Sequence, residues 1–315
     1  MFFQSRLSLV TGGTGFIGTH IAKALLAQGS RVRIAVHERA PIITDPRIEL
    51  VQADLTRQDD CLAAMKGVDL VFHCAGAVSG LGASAGNAMA GIATNLNLTA
   101  QVMQAAWSAN VQRLLIFSSS TAYPATDHPV REDELWNGPP HPAYLGYGWM
   151  RRYVERLAEF AARKSSLGIA LVRPTAVYGP HDDFRPASSH VIPALVRKAV
   201  EKLTPFEVWG TGDEVRDLLH VSDFARGCLL MMEKHAICDP VNIGYGSGIS
   251  VRRMVEIILD SAGHKAAPQF DPTKPTAIPI RLVDTSKAKT LLGFEPQIPI
   301  EQGLRDLVQW YAANR

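Results

Sequence analysis

The stretch TGGTGFIG (11–18) decides the predicted fold, because it joins an apolar strand to an amphipathic helix. The strand is RLSLV (6–10), and the helix is GTHIAKALLAQG (18–29). Glycines allow a tight turn and a close approach of the backbone to a pyrophosphate, which free N–H groups at the helix start then bind. The spacing is G-x-G-x-x-G with one glycine ahead of it, and we expect a dinucleotide to contact Gly12, Gly13, Thr14, Gly15, Phe16, Ile17 and Gly18.

Strands and helices continue to alternate after this motif, which is typical of βαβ units in a parallel sheet. Further strands are predicted at RVRIAV (31–36), DLVFHCAG (69–76) and RLLIFSSS (113–120), and IALVRPTAVYGP (169–180) is predicted to be a strand that leads into a loop. Helices are predicted at 91–110 and 153–168, and a helix is predicted to open within 144–157. The expected fold class is therefore α/β, with a Rossmann-type doubly wound parallel sheet.

The pattern becomes irregular after about residue 180, where prolines interrupt it. The proline-rich stretch 267–282 cannot form a single helix. We therefore expect a dinucleotide-binding domain over 1–172, completed by about 215–242. A smaller α/β C-terminal region, formed by 173–214 and 243–315, is expected to bind the substrate.

Composition excludes several classes of function. The 315 residues carry a net charge of only +2, so neither nucleic acid nor an anionic membrane is expected as a partner. Four cysteines lie far apart without a C-x-x-C pair, so no metal site and no disulfide framework are predicted. Neither a basic leader with an apolar core nor an apolar run of about 18 residues occurs, which predicts a cytoplasmic protein.

The end of the second strand bears on the choice between NAD and NADP. An acidic residue there would bind the ribose 2′-hydroxyl of NAD, but His37 occupies the expected position. Arg39 follows and suits a 2′-phosphate, which favours NADP. Glu38 weakens this argument, and a merely solvated Arg39 remains the alternative, so NAD stays possible.

Other segments are placed to complete the cofactor site. Asp54 and Leu55 follow an apolar segment and are expected at the adenine. The small residues Ala75, Gly76 and Ala77, at the end of the strand 69–76 and just after it, are expected along the middle of the cofactor, with Asn95 supporting them. The remaining predicted cofactor contacts are Pro174 and Val177.

A tyrosine and a cation mark the expected chemistry. Tyr147 and Arg151 in YLGYGWMRRYVERL (144–157) are four residues apart and share a helix face. A tyrosine has a pKa of about 10, and a cation within about 6 Å favours the phenolate. Arginine supplies this charge but cannot relay a proton. A structural aromatic residue and a surface charge are the alternatives.

Together with FSSSTAYP (117–124), these features resemble the extended short-chain dehydrogenase/reductase family, also called the NAD-dependent epimerase/dehydratase family. The resemblance implies that Ser119 hydrogen-bonds the substrate oxygen and that Tyr147 exchanges its proton. It also implies that a cation lowers the tyrosine pKa and holds the nicotinamide ribose. The family has lysine at this place, whereas this chain has Arg151.

The second half is most similar to the GDP-L-fucose synthases within this family. The similarity lies in YGPHDDFRPASSHVIPALVRK (178–198), VWGTGDEVRDLLHVSDFA (208–225) and RLVDTSKAKTLLGFEP (281–296). It implies that His190 is a general acid/base at the sugar ring and that helices near 91–109 and 144–163 form a homodimer. The implied substrate-binding residues are Ser120, His190, Arg197 or Lys198, Trp209, Arg216 and Arg281.

One departure bears on the reaction. The GDP-L-fucose synthases have a cysteine that works with the histidine to move protons at C3 and C5 of a 4-keto sugar, and this chain has Thr121 there. A threonine hydroxyl is not a useful base near neutral pH, so double epimerisation is not expected. Dehydration is disfavoured because SSST lacks an acidic pair.

The resulting prediction is an NADP-dependent enzyme that reduces a GDP-4-keto-6-deoxyhexose at C4 with limited epimerisation. One alternative is a nucleotide-sugar 4-epimerase with tightly bound NAD and no net cofactor turnover. The other is a non-catalytic dinucleotide-binding protein.

Overall fold

A seven-stranded parallel sheet is the centre of the larger part of the protein. The computed structural model describes residues 1–77, 88–276 and 278–315. With strands numbered in chain order, the order across the sheet is β10-β6-β5-β4-β1-β2-β3, and each neighbouring pair is parallel. The strands are β1 Leu7–Thr11, β2 Arg31–Val36, β3 Ile48–Gln52, β4 Leu70–His73, β5 Arg113–Phe117, β6 Gly168–Pro174 and β10 Val241–Ile243.

Helices cover both faces of this sheet. They are α1 Phe16–Ala27, α2 Gln58–Ala64, α3 Ala88–Ser108, α4 Leu145–Lys164 and α6 Val221–Lys234. Successive strand residues point to opposite faces, so Val10 packs with α1 and α6, whereas Leu9 packs with α2, α3 and α4. Both faces are thus apolar and covered, which confirms the predicted doubly wound α/β fold.

The remaining strands form two smaller sheets. Around β9 (Val215–His220) lie β7 (Ala176–Tyr178) and β13 (Ile280–Arg281), both parallel to it, and the antiparallel β11 (Gly248–Ser250). A parallel pair joins β8 Phe206–Trp209 to β12 Pro268–Asp271. The other helices are α5 Val191–Val200, α7 Val251–Ser261, α8 Ser286–Leu292 and α9 Ile300–Asn314.

A separate core supports these small sheets. Ile192 of α5, Met254 of α7 and Leu304 of α9 belong to one buried cluster, together with residues of β8 and β9. The segment 267–282 is not a single helix, as its prolines predict, because it contains β12 and β13. None of the helices in the described ranges is both long and apolar enough to cross a membrane.

Three predicted boundaries were wrong. The segment 169–180 was predicted as a strand that leads into a loop, but its loop part contains β7, which belongs to a different sheet from β6. The predicted helix 153–168 ends at Lys164, and its closing glycine instead begins β6. The predicted strand 113–120 ends at Phe117, because the Ser119 side chain caps a short 3-10 turn over Ser120–Ala122. The strand β3 was not predicted.

Candidate functional site

The switch point of the sheet lies between β1 and β4, where the strand order reverses direction. Ligands of doubly wound sheets bind at the carboxyl ends of the strands at this point. The glycine loop leaves β1 there, and Ala75 follows β4. Gly12 has φ +66, and a Cβ atom at this position would lie 2.7 Å from the Ala75 nitrogen. The two loops therefore meet so closely that only glycine fits.

The start of α1 fits the pyrophosphate of a dinucleotide. Gly15 is the N-cap residue, no side chain caps the helix, and its first turn has no acidic residue. A Cβ atom on Gly18 would overlap the Gly12 carbonyl oxygen, so the loop packs directly on the helix. Backbone N–H groups and the helix dipole are thus available to an anion, as the predicted cofactor site requires.

Asn95 supports the loop after β4. Its Oδ1 accepts a hydrogen bond from the Ala77 nitrogen at 3.0 Å, and its Nδ2 donates to the Ala77 oxygen at 2.9 Å. A Cβ atom on Gly76 would lie 2.9 Å from the Asn95 Oδ1. Asn95 is 4% exposed. These contacts suit the supporting role predicted for Asn95 and hold the loop beside the glycines.

The adenine end of the predicted site is more open. His37 and Arg39 follow β2 and are exposed, and Arg39 forms no ion pair within the described ranges. Asp54 uses Oδ1 to accept hydrogen bonds from the nitrogen and the hydroxyl of Thr56, which hold its pKa below the usual value. Leu55 is buried. Contacts of these residues with a cofactor stay predictions, as do those of Pro174 and Val177 on either side of the step from β6 to β7.

Arg151 contacts the phenol of Tyr147 directly. Its Nη2 donates a hydrogen bond to the Tyr147 hydroxyl at 2.5 Å, and its Nη1 donates to the Phe117 oxygen at 2.9 Å. Its guanidinium carbon is 4.8 Å from the centre of the tyrosine ring. No carboxylate in the described part of the chain pairs with Arg151. The guanidinium charge therefore lies directly at the phenol oxygen.

Arg152 was not predicted to contribute. Its side chain is buried, with Nε donating to the Ala122 oxygen at 2.8 Å and Nη2 donating to the Gly138 oxygen at 2.7 Å. The Trp136 and Trp149 rings lie 5.1 Å and 4.8 Å from its guanidinium carbon. Together, Arg151 and Arg152 bind carbonyls on both sides of residues 118–121. We call this stretch the serine segment.

Only one of the three serines in the serine segment is partly exposed. Ser118 is 2% and Ser120 is 6% exposed, whereas Ser119 is more open. The Ser119 Oγ accepts hydrogen bonds from the Thr121 nitrogen at 3.1 Å and from the Thr121 hydroxyl at 2.8 Å. Ser119 is therefore the serine of this segment that has access to a ligand.

His190 lies at the N-cap of α5 and is exposed. The surrounding protein withdraws water from the ring and lowers the pKa of His190, while the Asp183 carboxylate acts in the opposite direction. The neutral form of the imidazole is thus favoured. The Phe184 ring stacks on Tyr311 of α9 at 4.4 Å, which fixes the loop before His190.

Two arginines are neighbours in the small sheet. Arg216 of β9 and Arg281 of β13 are partners in the strand register, and neither forms an ion pair among the described residues. Burial lowers the pKa of both guanidinium groups. The Arg281 guanidinium lies 4.1 Å from the centre of the Tyr144 ring, and its Nε and Nη2 are buried without a hydrogen-bond partner among the described residues. Arg216 uses Nη1 to donate to the Val215 oxygen at 2.8 Å. A cation with buried, unpaired donors beside a second cation has the features of an anion site.

Two of the other predicted substrate residues already have polar partners within the protein, and a third is exposed. Arg197 pairs with Glu201 at 2.8 Å, and the Lys198 ammonium donates to the Glu207 oxygen at 2.9 Å. Trp209 is 44% exposed on β8. Tyr144 was missed by the sequence analysis, although its place three residues before Tyr147 puts both near one helix end.

Comparisons with known proteins agree with this arrangement. Residues 8–244 match the model of the NAD dependent epimerase/dehydratase family. The chain is 30% identical to the probable GDP-L-fucose synthase 1 of Oryza sativa subsp. japonica, over 97% of this chain and 92% of the relative. It is 28% identical to a dTDP-4-dehydro-6-deoxy-D-allose reductase of Streptomyces sp, over 99% and 98%.

Among solved structures, the UDP-glucose 4-epimerase of Thermotoga maritima, with UDP-glucose, has a TM-score of 0.87 and 25% identity, and the match covers 98% of this chain and 99% of that one. The predicted family resemblance is thus confirmed. The chain belongs to the NAD dependent epimerase/dehydratase family, and it is an NAD(P)-dependent enzyme of the short-chain dehydrogenase type.

Proposed function

We propose that this enzyme reduces the 4-keto group of a GDP-linked 6-deoxyhexose, with NADPH as the hydride source. One observation carries the proposal. Tyr144 and Tyr147 lie one turn apart at the start of α4, and the first contacts Arg281 while the second contacts Arg151. An anion site and a proton donor therefore lie at the same helix end, as a sugar attached to a diphosphate requires.

Three residues have separate roles in the reduction of the ketone: Tyr147, Arg151 and Ser119. A nicotinamide dinucleotide, when bound, supplies the hydride that the carbonyl carbon accepts. Tyr147 gives its phenolic proton to the carbonyl oxygen, so the C=O group becomes CH–OH and the phenolate remains. Arg151 stabilises that phenolate, and a proton from solvent restores the phenol because arginine cannot relay one. Ser119 donates a hydrogen bond to the same oxygen and stabilises its developing negative charge.

The C-terminal region, 173–214 and 243–315, supplies the nucleotide-sugar site in this proposal. Arg216 and Arg281 bind the diphosphate, since planar guanidinium groups suit phosphate oxygens. Exposed Trp209 is available to stack on the base. The choice of GDP draws on the similarity to GDP-L-fucose synthases.

Epimerisation at C3 and C5 is limited in this proposal. The neutral His190 can accept a proton. Its expected partner is the Thr121 hydroxyl, which is not a base near neutral pH and already donates to Ser119. A single base on one face of the sugar does not invert two carbons efficiently.

NADP is preferred because of Arg39, which is exposed and free to meet a 2′-phosphate. Replacing it as Arg39→Glu should raise the KM for NADPH about tenfold, with little change for NADH, as a charged hydrogen bond is lost. Equal KM values for both cofactors in the wild type would contradict the NADP assignment.

A homodimer through α3 and α4 belongs to the same proposal. Trp149, Tyr153 and Phe160 lie on one side of α4 and are 46%, 59% and 56% exposed, and Trp107 of α3 is 38% exposed. Such an apolar surface is typical of an interface. Tyr153→Glu should produce monomers in light scattering, and a monomeric wild type would contradict the dimer.

A 4-epimerase is the second candidate, favoured by the likeness to the UDP-glucose 4-epimerase structure. A bound NAD would then accept a hydride from one carbon and return it, with the same tyrosine taking up and giving back the hydroxyl proton, so no cofactor would be consumed.

The test measures turnover of the Tyr147→Phe variant with GDP-4-keto-6-deoxymannose, and the loss of NADPH absorbance reports the rate. We expect kcat to fall on the order of a thousandfold, because the proton donor is removed. NADPH binding, measured by fluorescence, should stay unchanged. Undiminished turnover would remove Tyr147 from the mechanism.

A further inference from the structure

We propose that Thr121 is a positioning residue, which makes the Ser119 hydroxyl an obligate hydrogen-bond donor to the substrate oxygen. This inference rests on the proposed function, because it assumes that Ser119 contacts the reacting oxygen. It gives a role to the residue that replaces the cysteine of the GDP-L-fucose synthases.

The hydrogen bonds of Ser119 carry the inference. A serine hydroxyl has one hydrogen to donate and two positions at which it accepts. The Thr121 nitrogen donates to the Ser119 Oγ at 3.1 Å, and the Thr121 Oγ1 donates to the same atom at 2.8 Å. Both accepting positions are thereby filled. The only hydrogen bond that the Ser119 hydroxyl can still make to a ligand is therefore one in which it donates its hydrogen.

The two bonds have different origins. The backbone bond follows from the 3-10 turn that Ser119 caps, so every residue except proline at position 121 can make it. The side-chain bond needs a hydroxyl on the residue at this position. The side chain of Thr121 therefore fixes the second accepting position, and with it the direction of the serine hydrogen.

This orientation suits a ketone substrate. A carbonyl oxygen accepts hydrogen bonds and cannot donate them, and negative charge grows on it during hydride addition. A donor that is already oriented stabilises this charge without reorganisation. Accepting two hydrogen bonds also polarises the serine O–H group and strengthens the bond that it donates.

The surrounding contacts keep the serine segment in place. Arg151 binds the Phe117 oxygen at 2.9 Å and Arg152 binds the Ala122 oxygen at 2.8 Å, on either side of the segment. Both arginines lie on α4, which also carries Tyr147. The donor of Ser119 is therefore fixed relative to the proton donor, and Thr121 sets its last rotational freedom.

The first test replaces Thr121 by valine, which keeps the shape and the backbone bond but removes the hydroxyl. We expect kcat to fall about tenfold with little change in KM, because an oriented donor matters most in the transition state. Thr121→Ser should restore kcat to within about threefold, since it returns the hydroxyl. Thr121→Ala removes the hydroxyl a second time if valine disturbs folding.

A matched control distinguishes this effect from a general cost of losing a hydroxyl. The Thr126 hydroxyl donates to the His128 oxygen at 2.9 Å, in the loop that follows the serine segment. Thr126→Val should leave kcat unchanged. Thermal denaturation of all variants reports whether they are folded. A kcat for Thr121→Val equal to that of the wild type would overturn the proposal.

A double-mutant cycle tests whether Thr121 acts through Ser119. Ser119→Ala should lower kcat on the order of a hundredfold, as loss of one donor to an oxyanion does. Adding Thr121→Val to it should cause no further loss, because the oriented hydroxyl is already absent. A further tenfold loss in the double variant would show that Thr121 acts elsewhere. If Ser119→Ala alone leaves kcat unchanged, the proposed role of Ser119 fails, which is a different outcome.

Discussion

Two regions of the protein are suited to negative charge by opposite means: the glycine loop with the start of α1, which we call the cofactor edge, and the neighbouring Arg216 and Arg281, which we call the anion site. At the glycine loop, the described residues supply no side-chain cap to α1, and the backbone N–H groups of its first turn are left for an anion. At Arg216 and Arg281, side chains supply the charge, and the Nε and Nη2 of Arg281 are buried without a partner among the described residues. A backbone site is sensitive to added atoms, whereas a side-chain site is sensitive to lost charge. The two regions should therefore fail under different substitutions.

The largest effect is expected from Gly18→Ala. The added Cβ atom would overlap the Gly12 carbonyl oxygen and displace the loop from α1. Dinucleotide binding, measured by calorimetry, should weaken on the order of a hundredfold. Gly91→Ala is the control, because a Cβ atom there meets no atom of the described residues within 4 Å, its own helix backbone aside. Equal affinity in both variants would contradict a backbone cofactor site.

Arg281→Gln should weaken binding of the nucleotide sugar at the anion site. Loss of one of two adjacent cations should raise the KM for the nucleotide sugar by about ten- to a hundredfold and leave dinucleotide binding intact. Arg253→Gln is the control, since Arg253 forms an exposed pair with Glu301. A loss of dinucleotide binding with an unchanged KM for the nucleotide sugar would contradict the assignment of Arg281 to the anion site.

A buried histidine at the cofactor edge should make the stability of the protein depend on pH. His73 ends β4, is 4% exposed and hydrogen-bonds Thr11, and burial lowers its pKa to about 3. The unfolded chain takes up this proton near pH 6.5, whereas the folded protein does not, so stability falls as pH decreases below 6.5. The free energy of unfolding should lose up to about 1.4 kcal/mol per pH unit from this residue. His73→Gln should reduce that slope in urea denaturation at pH 7 and pH 5. An unchanged slope would mean that His73 takes up its proton while folded.

The smallest effect is expected from Arg151→Lys. An ammonium keeps the charge near Tyr147 but cannot bind the phenol and the Phe117 oxygen with the same fork. Turnover should be retained or rise within about threefold, because both side chains keep a positive charge beside the phenol oxygen. A large loss of kcat would show that the bond to Phe117 is itself required.

The sequence predicted the first region better than the second for a physical reason. Gly12 to Gly18 lie in one short stretch, so the motif and its turn can be read locally. Arg216 and Arg281 meet through the pairing of β9 with β13, which no local pattern encodes, and they were named because of the family resemblance. The strand boundary at Phe117 was missed for a different reason, because a local side-chain cap, which apolar periodicity does not reveal, ends the strand.

Tyr144 and Arg152 show what sequence patterns omit. Tyr144 is important through its contact with Arg281, a residue far along the chain. Arg152 follows the expected cation on α4 and would be taken for a surface charge, but it is buried between two tryptophans. Both roles depend on tertiary neighbours, which periodicity does not reveal.

The most direct test of the account follows NADPH and the sugar together, with GDP-4-keto-6-deoxymannose in deuterated water. We predict that NADPH is oxidised in equal amount to the 4-hydroxy product, and that NMR finds little deuterium at C3 and C5. Conversion at C4 without net NADPH oxidation would contradict the account and identify an epimerase.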